Sequence, residues 1–188
     1  TCVVVPIFHP YSCIKEPRHT LLFKTDIQNA YEKYVLGKTS EGNFSYEDLT
    51  KVEELQDLAD RLRDSEATLA VDIETTGLNF LKDLIQTISI SSHEQTWVLP
   101  LDHKDSPFRK GEPDYAQVWK CVRKILENPK SKKVFHNAKF DLKFLINYGI
   151  FTKNVWDTKI MHHLLDENMP KSLMDLTKLY FANELKDL

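Results

Sequence analysis

In the stretch VDIETTGLNF, residues 71–80, two carboxylates, Asp72 and Glu74, stand in what otherwise reads as the end of a buried strand. A strand alternates its side chains with period two, so Leu69, Val71 and Ile73 face one way while Ala70, Asp72 and Glu74 face the other. Two like charges on one face repel, and each is costly to desolvate unless something positive sits between them. A divalent cation is such a partner. A second constellation is VFHNAKFDLKFLINYG, residues 134–149, where a short strand runs into a helix carrying Asn137 and Asp141 four apart and on one side. Phe140, Phe144, Leu145 and Tyr148 supply apolar surface around them. An acid in the first turn of a helix is, alone, a favourable partner of the helix dipole. A strand-borne acid pair combined with a helix-borne acid is what two divalent metals need when they clamp a phosphodiester.

The remaining charged candidates are plainer. NPKSKK, residues 128–133, with Lys139 and Lys143, reads either as a basic rim for a phosphate backbone or as a solvated turn. His162 and His163 are adjacent, so on a helix they diverge by about 100 degrees and do not chelate one metal together. Asp157, in WDT, reads as the cap of the next helix.

These residues need elements to hold them. The pattern predicts strands at 68–75, 84–91, 95–100 and 132–136, and helices at about 115–127, 138–148, 158–166 and 172–182. Upstream, Thr50 and Glu53 form a capping-box pattern ahead of a helix whose stripe is Val52, Leu55, Leu58, Ala59 and Leu62. Three successive strands, then a helix, a strand and more helices, argue for an α/β fold with a mixed sheet flanked by helices. Residues 2–8, CVVVPIF, read as a strand, and 20–36 as a helix; residues 37–48 are polar and read as a linker. The main boundary falls near residue 48, giving segments 1–36, 37–48 and 49–188. Thr1 in place of an initiator methionine and an end inside a helix-like pattern, ANELKDL, suggest a fragment of a longer protein.

With 188 residues, 41% of them hydrophobic, the chain has the makings of one full domain and a piece of another. A net charge of -3 gives no general attraction to polyanions, so nucleic-acid binding would rest on a local basic patch or on bound metal. Three cysteines, Cys2, Cys13 and Cys121, without close spacing, fit reduced thiols in a cytoplasmic compartment. No run approaches the roughly 18 apolar residues that a membrane span needs, and TCVVVPIF is too short for a signal peptide.

VDIETTGL resembles the first motif, D-x-E-T-x-G-L, and HNAKFDLKFL the second, N-x-x-x-D, of the proofreading 3'-5' exonuclease domain of family A DNA polymerases. WDTKIMHHLLDENMPKSLMDLTKLY is similar to the stretch that follows in that family, so the resemblance covers about residues 50–188. It implies the ribonuclease H-like sheet of the DEDD exonucleases and two divalent cations, Mg²⁺ or Mn²⁺, held by Asp72, Glu74 and Asp141. It also implies that Leu78 packs against the terminal base and that Asn137, with His136 and Phe140, lies near the 3'-terminal nucleotide. Thr75 and Thr76 would shape the turn beneath it. Core packing is the plain alternative for Leu78, and turn capping for the two threonines. The family's fourth acid comes from a later Y-x-x-x-D motif. The stretch after Asp141 falls short of where it belongs, and YFANE, residues 180–184, carries Glu in place of Asp and arrives early.

The opening VVVPIFHPYSCIKEPRHTLLFKTDIQNA is similar to the tail of family 4-type uracil-DNA glycosylases, in which the residue matching His9 would stabilise a uracil anion. A His-Pro turn without function is the alternative. In order, the segments resemble polymerases of some large bacteriophages. The expected partners are thus a single-stranded DNA 3' end and a polymerase domain downstream, in a bacterial cytoplasm, with no membrane. A non-cleaving nucleic-acid-binding module and a ribonuclease D-type RNA exonuclease share the same motifs.

Overall fold

The computed structural model describes residues 4–17, 19–37 and 45–181, and the chain forms two compact units, one of residues 44–158 and one of residues 1–43 with 159–188. Cys2, and Ala182 to Glu184 of YFANE, lie outside the described residues.

The unit of residues 44–158 is built on a six-stranded sheet. Its strands are β1 (Tyr46–Asp48), β2 (Thr68–Thr75), β3 (Ile85–Ser91), β4 (Thr96–Pro100), β5 (Lys132–Phe135) and β6 (Val155–Asp157). They lie in the order β1-β4-β3-β2-β5-β6. The β2–β3 and β3–β4 pairs are antiparallel, and β1 joins β4, β5 joins β2, and β6 joins β5 in parallel. Along β2 burial alternates strictly, with Leu69, Val71 and Ile73 in the core. Against them pack α3 (Val52–Leu62), through Leu55, Leu58 and Ala59, and α4 (Tyr115–Leu126), through Val118, Val122 and Ile125. After β5 the chain turns into α5 (Lys139–Asn147), which buries Phe144 and Leu145. The mixed, helix-flanked sheet read from the residue pattern is the sheet observed.

The other unit contains α1 (Pro10–Lys15), α2 (His19–Tyr34), α7 (Leu173–Phe181) and all but the first residue of α6 (Thr158–Leu165). Here α2 packs against α1 and α7, with Leu22 and Leu176 buried.

Four differences from the sequence reading have physical causes. Residues 4–9 form no strand; Pro6 within the run and Pro10 just after it supply no N–H for a ladder. His9 ends that run as the N-cap of α1, its Nδ1 accepting from the Tyr11 N–H at 3.1 Å. The expected linker ends in a strand, since Tyr46–Asp48 pair with Thr96–Val98. The cap of α3 sits one residue later than Thr50, because it is Glu54 whose carboxylate reaches back to the Lys51 N–H at 3.3 Å. β6 has only three residues, too short to show a period of two.

Candidate active site

Because Val71 and Ile73 are committed to the core, Asp72 and Glu74 emerge together on the open side of β2, two residues apart at its end. β5 runs parallel to β2, with Ala70 opposite Val134, so the turn after β5 delivers α5 beside the same strand. Asp141, in the first turn of α5, is 3% exposed. Burial pushes its carboxyl up to about 7, Asp72 and Asp157 add to the push, and the backbone N–H groups of Asp141 and Ile73 oppose it. Asp72 is raised as well, by its own desolvation and then by Glu74, while the Ile73 N–H and His136 pull it down. Asp72 thus lies within electrostatic reach of both Glu74 and Asp141. Among the described residues no three His, Cys, Asp or Glu side chains converge closely enough to hold a metal ion, so the expected convergence of Asp72, Glu74 and Asp141 on one cation is not seen.

Asp157, expected as a helix cap, ends β6, and its carboxylate serves the neighbouring turn. It accepts from the N–H groups of Asn137 at 3.1 Å and Ala138 at 2.9 Å, fixing the turn between β5 and α5. Asn137 has a φ of 69°, a left-handed conformation unusual outside glycine. The signal that could have revealed this role is the position of Asp157 at the end of a strand parallel to β5.

The loop after Glu74 is tied at its neck. Thr75 Oγ1 donates to the Gly77 carbonyl at 2.7 Å, and Thr76 Oγ1 accepts from the Leu84 N–H at 2.9 Å, so both threonines shape the turn as expected. Asp83 accepts from the Asn79 N–H at 2.7 Å, and a Cβ on Gly77 would lie 2.6 Å from the same carboxylate oxygen. Leu78 rides on this loop 86% exposed, which removes core packing as its explanation. Phe140 is half-buried beside Phe144, their ring centroids 5.1 Å apart, and Lys143 lies over the Phe80 ring at 5.4 Å.

Neither reading of residues 128–133, basic rim or solvated turn, holds for all of its lysines. Lys133 is fully buried, Lys130 pairs with Asp64 at 3.3 Å, and Lys132 lies over the Trp156 ring at 5.3 Å. His162 is buried with Nδ1 3.1 Å from the Tyr180 hydroxyl. Cys13 and Cys121 are free thiols, and no helix among the described residues is long and apolar enough to cross a membrane.

A helix-flanked mixed sheet with acids gathered at the end of its central strand defines a ribonuclease H-like exonuclease fold. Residues 46–187 match the 3'-5' exonuclease family, DNA_pol_A_exo1. The chain belongs to that family. It is 35% identical over 120 residues to DNA polymerase I of Aquifex aeolicus, a match covering 64% of this chain and 17% of that protein. Escherichia coli RNase D, an exoribonuclease involved in structured RNA processing, shares the fold with a TM-score of 0.61 at 19% identity, over 76% of this chain and 35% of its own. Brucella melitensis NrnC with bound Mg²⁺ does so with a TM-score of 0.53 at 22% identity, over 77% and 64%.

Proposed function

We propose that the chain is a metal-dependent 3'-5' exonuclease that removes nucleotides from DNA 3' ends, as the proofreading part of a DNA polymerase of family A. The observation that carries this reading is Asp141, a buried acid in the first turn of α5 whose carboxyl is pushed up to about 7 by burial and further by Asp72 on β2. A fold gains nothing in stability from burying an acid among acids. The family match and the polymerase relative support the DNA context.

Asp72, Glu74 and Asp141 offer only hard oxygen donors, the ligands that Mg²⁺ and Mn²⁺ prefer, and their mutual repulsion is what a bound cation relieves. These three residues would hold it. Bound there, divalent ions supply an activated water and neutralise charge on the departing 3' oxygen. The chain's own contributions are geometric: Asp141 gives up its proton, Asp157 holds the β5–α5 turn, and the braced loop presents Leu78 to a terminal base. Asn137, Phe140 and His136 line the approach of the terminal nucleotide. Residues 1–36, with His9, are read as a glycosylase-like tail on resemblance alone.

Hydrolysis of a 5'-labelled single strand with Mg²⁺ or Mn²⁺, by the protein as its gene encodes it, tests the reading. Stepwise loss of mononucleotides from the 3' end, abolished by chelation and by Asp72→Ala, is expected. Normal cleavage by Asp72→Ala would overturn it. The fold shared with RNase D favours one second reading, an RNA exonuclease, which faster cleavage of the matching RNA strand would establish.

A further inference from the structure

The loop between β2 and β3 closes on itself. The Thr76 N–H donates to the Leu84 carbonyl at 2.9 Å, the Lys82 and Asp83 N–H groups donate to the Asn79 carbonyl at 2.9 and 2.8 Å, and the Asp83 carboxylate accepts from the Asn79 N–H. Residues 76–84 therefore hold their shape as a body, and what remains to be fixed is where that body sits. The last turn of α5 fixes it. Lys143 and Asn147, four apart on one face of the helix, take the same residue, Phe80, at two points. The Asn147 side-chain amide donates to its carbonyl at 3.0 Å, and the Lys143 ammonium lies over its ring at 5.4 Å. The next residue, Tyr148, reaches the root of the loop. Its hydroxyl accepts from the Ile85 N–H at 3.3 Å, and Ile85 stands opposite Thr75, where the β2–β3 register shifts just after Glu74. Tyr148 is itself anchored, its ring stacked on Trp119 with centroids 4.3 Å apart and its hydroxyl 3.5 Å from the Asp102 carboxylate. That carboxylate also receives the Lys110 N–H at 2.8 Å and the Tyr115 hydroxyl at 3.3 Å.

We propose that Asn147 and Tyr148 are positioning residues that set which phosphodiester is cut, by holding the loop at a fixed distance from the acid on the same helix. This deepens the exonuclease reading and rests on it. Asp141 lies in the first turn of α5 and Asn147 ends it, about 9 Å further along the helix axis, so the loop and the acid are carried on one rigid rod. Leu78 and Leu81 are 86% and 70% exposed on the loop, an apolar wall against which a strand end comes to rest. Hydrolysis adds water across one P–O3' bond, leaving a 3'-hydroxyl on the shortened strand and a 5'-phosphate on the fragment released. The length of that fragment is the distance from the wall to the acids, counted in nucleotides. A loop that swings on its neck blurs the count.

Two measurements test this. In the 188-residue chain, ¹⁵N order parameters of residues 77–83 should lie near the rigid value of about 0.85 in wild type and fall below about 0.6 when Asn147→Asp and Tyr148→Phe are combined. Those side chains keep their size but lose the donor to Phe80 and the hydroxyl at Ile85. In the protein as its gene encodes it, the first cut of a 5'-labelled single strand with Mn²⁺ should leave wild type with a strand one nucleotide shorter. The double variant should leave about a tenth of its first products two nucleotides shorter, the scale of one lost hydrogen bond. Asn147→Gln, which keeps the amide donor, should recover part of the register, and Leu78→Ala should slip without loosening the loop. A purely structural role predicts a slower enzyme with its register intact. That result overturns the proposal, as do unchanged order parameters in the double variant or an unchanged register in Leu78→Ala. Each of these with wild-type cleavage present leaves the exonuclease reading standing; a wild type that does not cut overturns that reading and this one together.

Discussion

Two buried charges, one within β5 and one in the helix that follows it, are treated in opposite ways. At the start of β5, Lys133 is fully buried, and its ammonium is surrounded by the Asn128 carbonyl, the Ser131 carbonyl at 2.8 Å and the Ser131 hydroxyl at 3.1 Å. Beyond the other end of β5, Asp141 is 3% exposed, and the charges that bear on it, Asp72 and Asp157, are of its own sign. Burial pushes both toward neutrality, Lys133 down to about 8 and Asp141 up to about 7. The lysine has every proton matched by an oxygen, so it serves as an internal tie between the turn and the sheet. The acid is opposed by its neighbours, a pattern that pays off only when something positive arrives.

The largest way to break this contrast is at the acids. Asp72→Ala and Asp141→Asn should each lower the rate of 3' cleavage by about a thousandfold or more, while Lys133→Met should leave the rate per folded molecule within about threefold, in the labelled-strand assay.

Stability against pH should separate the two charges next. The folded Asp141 holds its proton up to about 7, whereas an unfolded aspartate releases it near 4, so between those values the native state binds more protons. Its contribution is therefore full below pH 4 and is lost as the pH rises through 7. Urea unfolding in EDTA should show wild type losing on the order of 3 kcal/mol across that window relative to Asp141→Asn. Lys133 works the other way: its folded form releases a proton near 8, before the unfolded chain does, so its contribution to stability grows from pH 8 toward 10. Parallel pH profiles for wild type and Asp141→Asn would contradict the first half.

Removing the satisfied charge should cost more than removing the opposed one. Lys133→Ala leaves the Asn128 and Ser131 carbonyls without their donor and opens a cavity, which should cost about 2–3 kcal/mol by urea unfolding at pH 7, while Asp141→Asn at the same pH should stabilise. The smallest effect is expected at the loop. Gly77→Ala sets a methyl against Asp83, a side chain able to swing aside, and should cost about 1 kcal/mol together with a severalfold loss of terminal-base binding through Leu78.

Much of this was legible before any coordinates. Strand alternation in LAVDIE predicts the shared face of Asp72 and Glu74, and the apolar stripes of α3 and α4 predict their buried sides, because periodicity reports burial directly. The burial of Lys133 was not legible: the strand expected at 132–136 includes it, but within NPKSKK it looks like its solvated neighbours, and the pattern gives no sign that its ammonium turns onto the Asn128 and Ser131 carbonyls. The bonds from Asp157 and Thr158 to the β5–α5 turn were also hidden, since they join residues about twenty apart through strands too short to announce a register. His9 shows the converse, a motif suggestive in sequence whose visible work is to cap a six-residue helix.

The central claim is that Asp141 is kept protonated near neutrality until a divalent cation takes the proton's place. Calorimetric titration of Mn²⁺ into the chain at pH 7, in two buffers of different ionisation enthalpy, counts the protons released on binding. With a carboxyl at about 7 the account predicts release of about half a proton per site, rising toward one at pH 6 and vanishing in Asp141→Asn. Binding of Mn²⁺ without proton release, at an affinity unchanged by Asp141→Asn, would contradict it.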